Sequence, residues 1–239
     1  MDDSAGAEIP LSGGRRFDLG VLGTITAPNI TPDPASGIGR RSDDDLVRAL
    51  RYGISHSGRP LIPFMSFTEL SDRDLKAIIS FLRSQSPVQN AAEPDDLSWL
   101  GALAVKIVID PERPKTRPAA EITPERSASY GRYLATAVAN CRGCHTKRSK
   151  LTGAFVGRPF AGGMELEEHG STFITPNLTT AADGVLRGLD ERQFIKRFRT
   201  RAQMPTQSPM PWTEYARMTD ADLGAIYLYL KSLPPTPAP

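Results

Sequence analysis

The chain has 239 residues, 29 Lys/Arg against 27 Asp/Glu for a formal net charge of +2, and is 39% hydrophobic and 23% charged. That length suits two domains of about 100 residues each, and the composition is ordinary for a soluble globular protein. The near balance of charge excludes a broad footprint for nucleic acid, and no apolar run reaches the ~20 residues needed to span a bilayer. Aromatic residues make up only 7% of the chain, so an all-protein core is small and a buried cofactor would supply the missing apolar bulk. Residues 1–120 carry 14 Lys/Arg against 16 Asp/Glu, and residues 121–239 carry 15 against 11. The densest basic run is Lys196, Arg197, Arg199 and Arg201. It reads first as a solvated helix face and second as a docking face for an acidic redox partner.

Residues 1–10, MDDSAGAEIP, are acidic and polar and carry no signal-peptide pattern. Residues 25–51, ITAPNITPDPASGIGRRSDDDLVRALR, combine a Pro-Asn-hydrophobic-Thr loop, a Gly-containing irregular stretch and an amphipathic helix. The same order returns at 174–199, ITPNLTTAADGVLRGLDERQFIKRFR. Residues 71–84, SDRDLKAIISFLRS, match 219–232, TDADLGAIYLYLKS, more closely. Both begin with a hydroxyl residue followed three positions later by Asp, the pattern of a helix start with an acid near the positive end of the dipole. Leu75, Ile78, Ile79 and Leu82 recur at helical spacing, as do Leu223, Ile226, Tyr227 and Leu230, and Pro87 and Pro234 follow the helix ends. The spacing predicts two copies of one mostly helical domain, over 1–88 and 124–236. The Pro-rich stretch 89–123 reads as a linker around one short helix. Within it, 97–109 (LSWLGALAVKIVI) is apolar but short and contains Lys106, which suits a buried or interfacial helix.

The two cysteines, Cys141 and Cys144, lie in CRGCH at 141–145. A zinc ribbon needs a second ligand pair, and a thioredoxin-like redox pair needs a βαβ setting. Attachment of a c-type haem uses every residue of the motif. Two thiols separated by two residues add to the two vinyl groups of one porphyrin, and His145 is the proximal iron ligand. A predicted helix, SASYGRYLATAVAN, runs directly into the motif, and Gly131 on it admits close approach of Tyr227 or Tyr229 on the last helix. Candidates for the sixth iron position are Met164, Met204, Met210, Met218, His56 and His169. Met210, in the Pro-flanked loop SPMPW 65 residues after His145, is preferred, and Met204 competes. A lone Met is usually core, so the context carries the choice. His/Met ligation would raise the reduction potential and suit outer-sphere electron transfer. The carbonyl of Pro159, 14 residues after His145 in GRPFAGG, is the expected acceptor for the other ring N–H of His145.

These segments together resemble the bacterial multi-haem cytochromes similar to the cytochrome c subunit of membrane-bound alcohol and gluconate dehydrogenases. The carriers are CRGCH (141–145), GRPFAGG (157–163), TPNLT (175–179), SPMPW (208–212) and MTDADLGAIYLYLKSLPP (218–235) in the second half. In the first they are IPLSGG (9–14), APNITPDPASGIG (27–39), IPFMSF (62–67) and LSDRDLKAIISFLRSQSPV (70–88). The resemblance implies an all-α fold of two tandem class I cytochrome c-like domains, export to the periplasm, possible membrane association and one haem c attachable by this chain. It implies redox partners, namely a dehydrogenase subunit and a quinone-linked or terminal oxidase acceptor, and no nucleic acid. The first half has no CxxCH, yet Pro10 matches Pro159 and Met65 matches the axial Met position. The matching histidine would fall upstream of Met1, so the expectation is a vestigial or truncated first haem site whose motif and export signal lie upstream. A haem-less docking domain is the rival. A haem enzyme with an open iron site, like a thiosulfate dehydrogenase or peroxidase, is the alternative to an electron carrier.

Overall fold

The computed structural model describes residues 11–61, 67–107, 113–114, 116–149, 153–168, 170–203 and 208–239. The chain divides into two compact units, Met1–Ile62 with Asp72–Arg113, and Pro63–Ser71 with Pro114–Pro239. Pro10, Met65, Met204 and His169 lie outside the described residues.

In the first unit, strands β1 (Arg16–Asp18), β2 (Gly23–Thr26) and β3 (Asp96–Leu97) form an antiparallel sheet in that order. Phe17 pairs with Ile25, and Gly23 with Leu97. Helix α1 (Asp43–Tyr52) starts in a capping box. The Asp45 N–H donates to Ser42 Oγ at 3.1 Å, and the Ser42 N–H donates to the Asp45 carboxylate at 3.2 Å. Gly53 ends it at φ 60°, a conformation a side chain would resist. Helix α2 (Asp72–Ser84) buries Leu75 and Ile79. Arg51, 5% exposed, reaches Asp72 at its start with N and O 3.0 Å apart. The stretch expected to be linker contributes β3 and helix α3 (Trp99–Ile107) to this unit. Gly101 lies so near the Leu22 carbonyl that a Cβ there would sit 2.0 Å from its oxygen.

The second unit holds α4 (Ala128–Tyr133), a π-helical turn (Leu134–Val138), α5 (Cys141–Cys144), strands β4 (Glu165–Glu168) and β5 (Ser171–Ile174), and helices α6 (Glu191–Arg201), α7 (Trp212–Tyr215) and α8 (Asp220–Ser232). Helix α4 crosses α8 backbone to backbone at Gly131, where a Cβ would lie 1.8 Å from the Ala225 carbonyl oxygen. The nearest neighbour of Gly131 is thus the Ala225–Ile226 backbone. Leu134, Phe160, Leu186, Phe194, Ile226 and Leu230 form the core around this crossing. Among the described residues, no helix is long and apolar enough to cross a membrane.

The all-α expectation is corrected by these two antiparallel sheets, which contain five strands among the described residues. The β4–β5 hairpin shows why the pattern misled. Leu166 pairs with Phe173, both half-buried, while Glu165 and Glu167 point to water. With one apolar residue inward on each strand, the period-2 signal is too short to separate from an acidic loop.

One hydrogen-bonded clasp occurs in both units. The Thr31 N–H donates to Asn29 Oδ1, and Asn29 Nδ2 donates to the Val88 carbonyl, beyond α2, at 2.7 Å. The Val88 N–H returns to Thr31 Oγ1. In the second unit the Thr179 N–H donates to Asn177 Oδ1, and Asn177 Nδ2 to the Thr236 carbonyl, beyond α8, at 2.7 Å. The Thr236 N–H returns to Thr179 Oγ1. Asn29, Thr31, Asn177 and Thr179 are all buried, so each clasp satisfies polar groups that would be costly to leave unpaired.

Candidate cofactor site

The geometry of CRGCH is set by the chain before it. After α4 the helix widens into the π-helical turn, closed by an Ala139 N–H to Leu134 carbonyl bond of 2.7 Å. Asn140 then takes a left-handed conformation at φ 47°, a state Asn tolerates better than most residues. The break restarts the chain as the single turn α5, closed by the His145 N–H on the Cys141 carbonyl at 2.9 Å. Cys141, Cys144 and His145 stand at i, i+3 and i+4, which one helical turn places on one face. Gly143 lies beneath the Asn140 side chain, where a Cβ would come within 2.5 Å of its amide nitrogen, so a larger residue in the motif would push that side chain away.

His145 is 8% exposed, and its Nδ1 lies 2.9 Å from the Pro176 carbonyl oxygen. A carbonyl only accepts, so Nδ1 carries the hydrogen and Nε2 keeps its lone pair. Burial pushes the imidazole pKa below its usual value, and the Pro176 hydrogen bond opposes that without reversing it. The ring is a neutral donor of a nitrogen lone pair, which is what an iron ligand has to be. Cys141 is half-buried, and burial pushes its thiol up to about 12. Cys144 is exposed, and its thiol is also raised by burial of the sulfur, with Arg148 acting against it.

The expected role of Pro159 is corrected by this arrangement. The GRPFAGG loop meets the backbone after the motif rather than the ring. The Gly162 N–H donates to the His145 carbonyl at 3.0 Å, and the Phe160 N–H to Thr146 Oγ1 at 3.1 Å. The ring is met by the TPNLT loop, whose Asn177 and Thr179 are fixed by the clasp. The recurrence of that loop is legible in the sequence, but which of its carbonyls faces His145 is set only by the fold.

Two adjoining cavities, of about 360 and 120 Å³, open beside the motif. Cys141, His145, Pro176, Met210 and Tyr215 line both. The larger continues between α6 and α8 against Leu186, Phe194, Phe198, Ile226 and Leu230. The smaller is walled by Cys144 and, on the β4–β5 hairpin, Leu166 and Phe173. Met210 is held on this wall by its N–H on Ser208 Oγ at 3.2 Å and by the Trp212 N–H on its carbonyl at 2.8 Å. Met218 lines only the larger cavity. Tyr215, which the motif search passed over, donates its hydroxyl to the Ala139 carbonyl at 2.6 Å and braces the chain entering the motif.

These residues fit a haem. The cavities are apolar, as a porphyrin face demands, both thiols open on them, and a neutral imidazole and a thioether share their walls. A family profile for cytochrome c matches residues 128–234. The chain is 30% identical to the gluconate 2-dehydrogenase cytochrome c subunit of Pantoea cypripedii over 93% of its own length and 55% of that protein's. It is 32% identical to the cytochrome c subunit of the quinone alcohol dehydrogenase of Gluconacetobacter polyoxogenes, over 90% of this chain and 49% of that one. A diheme cytochrome c-type protein of Cereibacter sphaeroides is 33% identical over 75% of this chain and 61% of its own length. The chain spans about half the length of the first two relatives. The chain thus contains a cytochrome c domain at residues 128–234 and is similar, through most of its length, to dehydrogenase cytochrome c subunits.

Proposed function

We propose that this chain carries electrons on a haem c, which Cys141 and Cys144 would bind covalently and whose iron His145 and Met210 would hold. The observation that carries the reading is the shared face of the two thiols and a neutral, carbonyl-anchored His145, opening on an apolar cavity that also takes in Met210. When bound, the haem supplies a one-electron Fe(II)/Fe(III) couple, and a thioether ligand favours its ferrous state. The protein's work is to hold and insulate. Pro176 fixes the His145 tautomer, Tyr215 fixes the turn, and the side chains of α6 and α8 exclude water, which keeps the couple's surroundings nearly unchanged between oxidation states.

The two units, sharing the Asn–Thr clasp, are copies of one design, and the described chain attaches one haem, in the second. The relatives, cytochrome subunits of dehydrogenases, support a dehydrogenase subunit as the donor, and the acceptor in this reading is quinone-linked or a terminal oxidase. The setting in this reading is the periplasm, in association with the membrane. Intact mass and a pyridine haemochrome count the haems. One haem, lost in Cys141→Ser/Cys144→Ser, is the expected result. The oxidised protein should show a long-wavelength Met–iron band that Met210→Ala removes, and a high-spin ferric spectrum in the unaltered protein would overturn the carrier reading.

A further inference from the structure

The segment that carries Met210 is held by α6 at its downstream end. Arg199 on α6 donates to the Ala216 carbonyl and to the Met218 carbonyl at 2.8 Å, and Phe198 meets the Trp212 ring edge-on with centroids 5.5 Å apart. Among the described residues, the hydrogen bonds of Met210, Trp212 and Tyr215 otherwise run back into the segment, with one exception. The Met210 N–H goes to Ser208, the Trp212 N–H to Met210 and the Tyr215 N–H to Pro211. The exception is the Tyr215 hydroxyl, which crosses to the Ala139 carbonyl at 2.6 Å, 76 residues away in sequence.

The acceptor explains the bond. Ala139 follows the π-helical turn, and the left-handed Asn140 after it breaks the helix. In an unbroken helix the Gly143 N–H would take the Ala139 carbonyl, but it goes to the Asn140 carbonyl at 2.9 Å. Ala139 is 7% exposed, so its carbonyl needs a partner from elsewhere in the fold. Tyr215 supplies it, and Tyr215 lines both cavities with Cys141, His145 and Met210. The first repeat shows that filling this place needs no hydroxyl. MSFTEL at 65–70 matches MPWTEY at 210–215, which sets Leu70, 1% exposed, at the position of Tyr215. The half of the chain without CRGCH thus has a buried apolar residue there, and the half with CRGCH has a phenol.

We propose that Tyr215 is a positioning residue for the axial methionine: its bond to Ala139 fastens the Met210 segment to the attachment turn and limits displacement of the thioether from iron by small nitrogen ligands. This role rests on His145 and Met210 as the iron ligands of the proposed function. Two axial ligands take opposite sides of the iron, and here they come from separate segments of the chain. The firmness with which those segments are held together therefore sets how readily the thioether leaves. His145 follows Ala139 by six residues and Met210 precedes Tyr215 by five, so the hydroxyl joins the two segments close to both ligands. Without that tie, the Met210 segment gains conformations once the thioether is off the iron, and the gain in entropy favours the displaced state.

The test is a titration of the full-length, haem-loaded ferric protein with imidazole, followed by loss of the long-wavelength Met–iron band. Tyr215→Phe should raise the affinity for imidazole by about fivefold, the equilibrium worth of one hydrogen bond. Tyr215→Leu, which takes the residue of the first repeat, should raise it at least as much, and it serves if the Phe variant folds poorly. Tyr227→Phe removes the same kind of bond, from its hydroxyl to the Leu189 carbonyl at 2.9 Å, but outside the cavity linings, and should leave the affinity unmoved. In a Met210→Ala background the effect of Tyr215→Phe should vanish. Equal affinities in Tyr215→Phe and Tyr227→Phe overturn the proposal. So does an undiminished gain in the Met210→Ala background, since Tyr215 then governs entry to the cavity and not Met210. An unaltered protein with no haem, or with no Met–iron band, overturns the ligation reading and this inference with it. A normal band with an unmoved affinity in Tyr215→Phe overturns the inference alone.

Discussion

At the scale of single residues, burial and hydrogen bonding prepare His145 before any cofactor arrives. Its pKa is depressed below the ordinary 6.5, mainly by burial. The neutral form is thus favoured in the folded state, and the corresponding stability is present above pH 6.5 and lost as pH falls through the depressed value. In haem-free protein, stability should therefore decline on acidification through that window. His145→Gln should flatten the decline, as followed by denaturant midpoints against pH. The thiols differ in a way that can be read directly. Cys144 is exposed, whereas Cys141 is half-buried with its thiol pushed up to about 12. Since the thiolate is the nucleophile, iodoacetamide should label Cys144 several-fold faster than Cys141 in haem-free protein, and equal rates at the two sites would contradict the burial described. The CRGCH motif could be read as a haem attachment from the sequence, because its chemistry is local. The Pro176 carbonyl was not, because it arrives from 31 residues away and any loop carbonyl has the same chemistry.

At the scale of elements, two close fits decide the second unit. The α4–α8 crossing depends on the missing side chain of Gly131. Gly131→Ala drives a methyl into the Ala225 carbonyl and should cost about 1–3 kcal/mol, measurable as a lowered thermal midpoint in the holoprotein. The clasp depends on Asn177. Asn177→Ala strips partners from the buried Thr179 N–H and from the Thr236 carbonyl, at about 1–3 kcal/mol for each buried group left unpaired. It should also loosen the loop that presents Pro176, so the Met–iron band should weaken along with stability. Helix caps and amphipathic periods were legible because they recur at 3.6-residue spacing. The β4–β5 hairpin was hidden because it needs only one inward residue per strand, Leu166 and Phe173. Its contribution, a wall for the smaller cavity, appears only once the chain has folded over the motif.

At the scale of the whole molecule, the two units use one set of local rules with different contents. Both have the Asn–Thr clasp, both have a capping box before the helix that carries Arg51 or Arg199, and only the second has CRGCH. Asn29→Ala should lower stability in the first unit alone and leave the haem absorbance melt unchanged, whereas Asn177→Ala should move that melt. Calorimetry beside absorbance separates the two. The division is a physical one. Sequence alone carried the attachment reading of CRGCH, the recurring segments and the helices, because each motif is written in residues within a few turns of one another. Only the tertiary structure decided that the Pro176 carbonyl holds His145, that 89–107 adds a strand and a helix to the first unit, and that short sheets join the helices. Those outcomes depend on which distant backbone groups meet in space, and a linear pattern carries no term for that.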